Sequence, residues 1–126
     1  MAPSTKDQLW ERHIADSPHV RLFQPVYDRV QLASLMASAD AFIHGCTSET
    51  FGMVASEALA SGLPLIVPDK GGAAAVAKPA YAETYRGGNA YECAAAIVRL
   101  LLRDRPLVRR AALVASETVL SDRDHA

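Results

Sequence analysis

The 126-residue sequence lacks the features that would place it in several large classes of protein. Its two cysteines, Cys46 and Cys93, are far apart, which argues against a disulfide scaffold and favours reduced thiols in a cytoplasmic protein. No apolar run approaches the roughly 20 residues that span a bilayer, and the first residues lack the apolar core of a signal peptide. A net charge of -1 lacks the surplus of Lys and Arg that binds phosphate backbones, so we expect no nucleic-acid partner.

Several catalytic motifs are also absent. No G-x-G-x-x-G follows a predicted strand, no G-x-x-x-x-G-K-[ST] loop occurs, and no G-x-S-x-G elbow surrounds a serine. The two cysteines and four histidines lack the spacing of metal ligands, so we expect no metal. Cys46 is better interpreted as a small buried thiol than as a nucleophile.

The apolar residues follow an alternation of strands and helices across one domain, residues 1–126. The predicted strands are His19–Phe23, Ala41–His44, Leu65–Val67 and Tyr81–Arg86. The predicted helices are Thr5–Ala15, Asp28–Ala39, Met53–Ala60, Ala73–Lys78, Ala90–Leu102 and Pro106–Leu120, with a frayed tail over residues 121–126. Short connections between alternating elements predict an α/β fold with a Rossmann-like parallel sheet and helices on both faces.

The most informative segment runs from Glu49 to Glu57 and joins a predicted strand to a predicted helix. Ligands of α/β proteins gather at such junctions, and the free N–H groups of a helix start attract anions. Gly52 would let a diphosphate approach the backbone closely. Glu57 could accept hydrogen bonds from a ribose diol, and Glu49 from another hydroxylated group. Taken singly, Glu57 is more simply a solvated surface residue, and Glu49 a helix-start carboxylate stabilised by the helix dipole.

These residues carry a resemblance to a known family. The segments that carry it are Ser38–His44, Glu49–Val54, Ser56–Pro64 and Asp69–Gly72. They resemble the donor-binding, C-terminal domain of the retaining glycosyltransferases of family 4 (group 1), which have the GT-B fold and a Glu-x7-Glu motif. The resemblance covers about residues 9–102.

The resemblance implies a role for each matched residue. Glu49 would be the catalytic-site glutamate that contacts the donor sugar, and Glu57 would hold the ribose. The sugar and diphosphate would also lie against Thr50, Phe51, Gly52, Met53 and Val54. The loop with Pro25, Val26 and Tyr27 would contact the nucleobase. The implied donor substrate is a nucleotide-diphosphate-sugar, used without cofactor or metal in polysaccharide or glycolipid biosynthesis.

The chain also departs from the family pattern. The basic loop that usually neutralises the diphosphate and the acceptor-binding N-terminal domain are both missing, which predicts a truncated and inactive chain. The alternative is a non-catalytic nucleotide-sugar-binding or interaction module. His44 and Lys70 beside the site have structural or surface roles as their simpler interpretation, and hydroxyl or anion binding as the other. An unpaired sheet edge would favour self-association. The arginines after residue 98 suggest either a solvated helix face or weak peripheral contact with the inner face of a membrane.

Overall fold

A computed structural model describes residue 12 and residues 16–24, 27–45 and 53–124; for residue 53 and residues 119–124 it describes the backbone alone. The chain divides into two compact units, residues 1–32 and 33–126. The predicted helix Thr5–Ala15 lies outside the described residues except for Arg12. No described helix is both long enough and apolar enough to cross a membrane.

The predicted strand His19–Phe23 is wrong. Residues 20–24 belong to no strand, and Leu22 and Phe23 are 61% and 59% exposed. Alternation of apolar and polar residues predicts a strand only where the backbone also finds a partner for its hydrogen bonds. In the described part of the chain this segment forms a hydrogen-bonded turn, from the N–H of Val20 to the carbonyl of Ser17, and no ladder.

The first described helix, α1 (Arg29–Ala37), begins where the sequence predicted. The Asp28 carboxylate accepts hydrogen bonds from the N–H groups of Val30, at 2.8 Å, and Gln31, at 3.3 Å. Such a cap satisfies N–H groups that the helix itself leaves free. The helix ends two residues before the predicted Ala39 and buries Met36.

Within the described residues, three parallel strands form a sheet, in the order β1 (Phe42–Ile43), β2 (Leu65–Pro68) and β3 (Ala82–Tyr85). All four residues of β2 are buried, as expected for a central strand covered on both faces. The two helices that connect successive strands both contact β2. The helix α2 (Met53–Ala60) joins β1 to β2, and the helix α3 (Gly72–Val76) joins β2 to β3. The α/β class with a Rossmann-like parallel sheet is confirmed.

The end of α2 is fixed by a glycine. Gly62 has a φ of 80°, and the N–H groups of Gly62 and Leu63 donate to the carbonyls of Leu59 and Ala58 at 2.9 and 3.0 Å. This pattern is the Schellman motif, in which a left-handed residue ends the helix and satisfies its last carbonyls. The turn delivers the chain through Pro64 into β2.

Two further helices follow β3, namely α4 (Ala90–Leu101) and α5 (Arg105–Asp124). The side chain of Asn89 accepts from the N–H of Glu92 at 3.0 Å, which confirms the predicted cap of α4. The side chain of Asp104 accepts from the N–H of Leu107 at 3.1 Å and caps α5 in the same way. The last helix continues to Asp124, beyond the predicted end at Leu120.

The helices α2 and α5 pack against each other, and both bury small residues. Ala55 and Ala58 of α2 and Ala112 of α5 are fully buried, and Ser116 lies one turn beyond Ala112. Short side chains allow two helix backbones to approach closely.

An ion-pair cluster joins α4 and the turn after it to the outer edge of β3. The Glu83 carboxylate pairs with Arg99, at 2.5 Å, and with Arg103. The same two guanidinium groups donate to the carbonyls of Thr84, at 3.4 Å, and Ala82, at 3.2 Å. Burial by itself raises the pKa of Glu83, but the hydrogen bonds and charges of the two arginines outweigh burial and lower the pKa.

Substitution of Gly62 by alanine should destabilise the chain. An alanine at a positive φ costs about 1–2 kcal/mol, and its Cβ would lie 3.2 Å from Arg109 Nε. Gly88 is the matched control, because its φ of 82° is similar while its Cβ would meet nothing within 4 Å. Urea denaturation should show a loss of unfolding free energy for Gly62→Ala at least as large as for Gly88→Ala. An equal loss would mean that Arg109 yields without cost, and a smaller loss for Gly62→Ala would contradict the prediction.

Substitution Glu83→Gln should destabilise the chain in a pH-dependent manner. Hydrogen bonds to charged groups contribute on the order of 1–2 kcal/mol each, and the half-exposed Arg99 contributes the lesser share. Because folding lowers the pKa of Glu83, its contribution is present above the ordinary value of 4.5 and is lost as pH falls through the folded pKa. Urea denaturation from pH 7 to pH 3 should show the two proteins converging in acid, whereas exposed Glu117→Gln should match wild type throughout.

Candidate functional site

The carboxyl ends of the three strands meet at one edge of the sheet, because the strands are parallel. The chain leaves β1 through His44 and Gly45, leaves β2 through Asp69 and Lys70, and leaves β3 through Arg86. This carboxyl edge is where open α/β sheets bind ligands. The candidate site is therefore built from the connections that follow β1, β2 and β3.

Tyr85 ties two of these strand ends together. Its hydroxyl donates to the carbonyl of His44 at 2.6 Å, and its side chain is buried. The N–H of Asp69 in turn donates to the Tyr85 carbonyl at 2.8 Å. Burial raises the pKa of the Tyr85 phenol, and the neighbouring Cys93 thiol raises it further. The point at which the chain leaves β1 is thereby fixed against β2 and β3.

His44 has a structural role in this arrangement. Its N–H donates to the carbonyl of Ile66 at 2.9 Å, and its ring stacks on Phe42 with the ring centroids 5.9 Å apart. Together with the bond from Tyr85, these contacts extend the β1–β2 pairing past Ile43. The simpler of the two sequence interpretations of His44 agrees with these contacts.

The turn after β3 forms an open cavity of about 490 Å³. Gly88 has a positive φ of 82°, and Asn89 and Glu92 bond each other reciprocally, since Asn89 Nδ2 also donates to Glu92 Oε2 at 3.1 Å. The second carboxylate oxygen of Glu92 accepts from the N–H of Arg86 at 3.3 Å. This network orders the turn and leaves the Arg86 side chain exposed at the carboxyl edge.

The turn after β2 presents a second cation. Lys70 and Asp69 are exposed, and Gly71 has a φ of 98°, a conformation that side-chain-bearing residues rarely adopt. Gly72, the first residue of α3, is buried. The predicted Gly-Gly loop therefore exists as a tight turn beside an exposed lysine.

The described part of the Glu-x7-Glu motif lies on α2. Ala55, Ala58 and Leu59 face the core, whereas Glu57 is exposed and Val54 is 39% exposed. Helical spacing of the apolar residues is what turns Glu57 outward. Met53 is the first residue of the helix.

Several predicted site residues lie outside the described residues, namely Glu49, Thr50, Phe51, Gly52, Pro25 and Val26. Tyr27, the remaining residue of the predicted nucleobase loop, is 90% exposed and belongs to the first compact unit. The described residues contain no cluster of His, Cys, Asp and Glu side chains that could hold a metal ion.

Sequence reasoning missed Tyr85 and Arg86. Both lie in a segment that was interpreted only as a strand, and the partner of Tyr85 is 41 residues away in the sequence. The signal for Arg86 was present, because a cation that follows a strand and precedes Gly87-Gly88 resembles the Lys70-Gly71-Gly72 arrangement.

Comparison with known proteins identifies the family. The family described as "Glycosyl transferases group 1" matches residues 4–115. A GDP-mannose-dependent alpha-mannosyltransferase of Mycolicibacterium smegmatis is 37% identical over 91 residues, which are 71% of this chain and 24% of the relative. A protein of the same name from Mycobacterium tuberculosis is 57% identical over 42 residues, 33% of this chain and 11% of that relative.

The chain thus belongs to the group 1 glycosyl transferases. Its parallel α/β sheet is consistent with the Rossmann-like C-terminal domain of the GT-B fold. It spans about a quarter of the length of the first of these relatives and about a tenth of the second.

Removal of the Tyr85 hydroxyl should loosen the carboxyl edge. Tyr85→Phe deletes one buried hydrogen bond and should lower the unfolding free energy by about 1 kcal/mol. Amide exchange at His44 and Gly45 should accelerate more than exchange in α4, because the lost bond holds the end of β1. Tyr91→Phe is the matched control, since Tyr91 is 91% exposed. Equal stability of the two variants would show that the bond to His44 contributes nothing net.

Proposed function

We propose that the chain is the donor-binding domain of a retaining family-4 glycosyltransferase, which transfers a sugar from a nucleotide-diphosphate-sugar to an acceptor hydroxyl. The observation that carries the proposal is the placement of Glu57. It is exposed on the helix that follows the first strand end of the carboxyl edge, in a chain of the matching family. Ligands of such sheets bind at that edge.

Each residue of the motif has a proposed task. The start of α2 offers the N–H groups of Met53 and Val54 to the diphosphate, because these groups have no partner within the helix. Glu57, one turn further, accepts hydrogen bonds from the ribose hydroxyls. Glu49 contacts the donor sugar as the catalytic-site glutamate, with Thr50, Phe51 and Gly52 beside it. Pro25, Val26 and Tyr27 receive the base.

The donor that we propose to test first is GDP-mannose, which the names of both similar proteins specify. The diphosphate needs positive charge, and the exposed side chains at the carboxyl edge include Arg86 and Lys70. We assign these two cations to neutralisation of the charge of the diphosphate. No metal or cofactor is part of the proposal.

The proposed domain does not catalyse sugar transfer by itself. Sugar transfer needs groups on both sides of the donor, and the acceptor side is expected from a separate N-terminal domain. A non-catalytic module that binds nucleotide-sugars is the second candidate, and loss of an acceptor partner would favour it. Adding a separately expressed acceptor domain from one of the mannosyltransferase relatives distinguishes the two, because only the first candidate then transfers mannose.

Membrane contact and self-association have less support than donor binding. The predicted basic stretch is divided in the structure, because Arg99 and Arg103 bind Glu83 and Arg105 pairs with Asp40. The carbonyls of Ala82 and Thr84 on β3 accept from arginines. Any self-association through the sheet would therefore have to use the edge at β1.

Calorimetric titration of the chain with GDP-mannose tests the proposal. Glu57→Gln should weaken binding about tenfold, the loss expected for a charge-assisted hydrogen bond (about 1.4 kcal/mol). Glu117→Gln, an exposed glutamate on α5, is the control and should bind as wild type does. UDP-glucose and ADP-glucose in place of GDP-mannose report the preference for base and sugar together.

The titration has two contrary outcomes. Unchanged affinity of Glu57→Gln would remove Glu57 from the ribose site. No binding of any of the three donors at millimolar concentration would contradict donor binding by this chain.

A further inference from the structure

A second cavity lies at the opposite, amino edge of the sheet. Its volume is about 330 Å³, and it is lined by the residues that lead into β1 and β2 and by the junction of α4 and α5. The length of β2, roughly 13 Å for four residues, separates it from the carboxyl edge. It therefore shares no residue with the proposed nucleotide-sugar site.

The floor of this cavity is apolar. Pro64, Leu100 and Val108 line it and are buried, and Ala41 and Pro106 complete the apolar surface. Cavities of about this size, mostly apolar with a few polar groups, are typical of small-molecule sites.

The polar lining is positively charged. Asp40, Arg105 and Arg109 are the charged residues around the cavity, and the Asp40 carboxylate is paired with Arg105. Among the described residues, Arg109 makes no hydrogen bond and no ion pair. Arg109 is thus the uncompensated charge of the lining.

Gly62 holds Arg109 beside the cavity. A Cβ at Gly62 would lie 3.2 Å from Arg109 Nε and 3.4 Å from its Cγ, so the arginine stem passes directly over the glycine backbone. The packed stem limits the freedom of the side chain, and less entropy is lost when the guanidinium binds an anion.

We propose that the amino-edge cavity binds a small amphiphile with an apolar body and one anionic head group. The body contacts Pro64, Leu100 and Val108, and the head group accepts hydrogen bonds from the Arg109 guanidinium. A planar guanidinium can bond a carboxylate or phosphate through two N–H groups at once. Asp40 keeps Arg105 engaged, so the head group binds at Arg109.

Octanoate is the probe for this site. Titration of the 15N-labelled full chain should give saturable shifts of the amides of residues 39–41, 62–63 and 100–109. Octanol, which has the same body without the charge, should bind more weakly at the same ionic strength. Shifts that do not saturate, that map to the carboxyl edge, or that octanol reproduces with equal affinity would overturn the proposal.

Two variants make the test specific. Arg109→Gln should raise the octanoate dissociation constant at least threefold, whereas Arg110→Gln should leave it unchanged, since Arg110 is exposed and does not line the cavity. Ala39 lines the cavity but lies in neither a helix nor a strand, so Ala39→Leu should narrow the cavity. This substitution should weaken the binding of octanoate and of octanol alike. Equal affinity of the Arg109 and Arg110 variants would remove Arg109 from the site.

Discussion

Burial of the central strand is the constraint on which the second compact unit depends. Every residue of β2 is inaccessible, and its backbone groups pair with β1 on one side and β3 on the other. A strand with two apolar faces is stable only when helices cover both. The cap at Asn89 and the glycine turn at Gly62 serve this requirement, because they set where α4 begins and where α2 ends, and both helices contact β2.

Features that depend on residues close together in the sequence were predicted for most of this unit, whereas contacts between distant residues were not. The apolar run at Leu65–Val67, the Asn89 cap and the Gly62 helix stop depend on neighbours within a few residues, so the sequence alone identifies them. The segment His19–Phe23 has the alternation of a strand, but alternation contains no information on a pairing partner. The hydrogen bond from Tyr85 to His44 joins residues far apart in the sequence, and no pattern near either residue predicts it.

The candidate site shows the same difference between features that nearby residues determine and features that depend on distant contacts. Helical spacing, which is a local feature, puts Glu57 on the outer face of α2, away from the buried Ala55 and Ala58. The arginines after residue 98 were treated as one stretch, although the sequence also predicted a break between two helices there, and the structure has that break between Leu101 and Arg105. That break sends Arg99 and Arg103 to the sheet edge and leaves Arg109 at a cavity. Charges adjacent in sequence thus serve separate parts of the molecule.

The fully buried alanines of α2 and α5 restrict how this protein can change. At a fully buried alanine, a larger side chain must push the helices apart, while glycine weakens the helix that carries it. Almost any substitution at Ala58 or Ala112 should consequently lower the stability of the protein. In α2, the helix that carries Glu57, the size of the buried residues is therefore fixed, and substitutions are tolerated mainly on the exposed face.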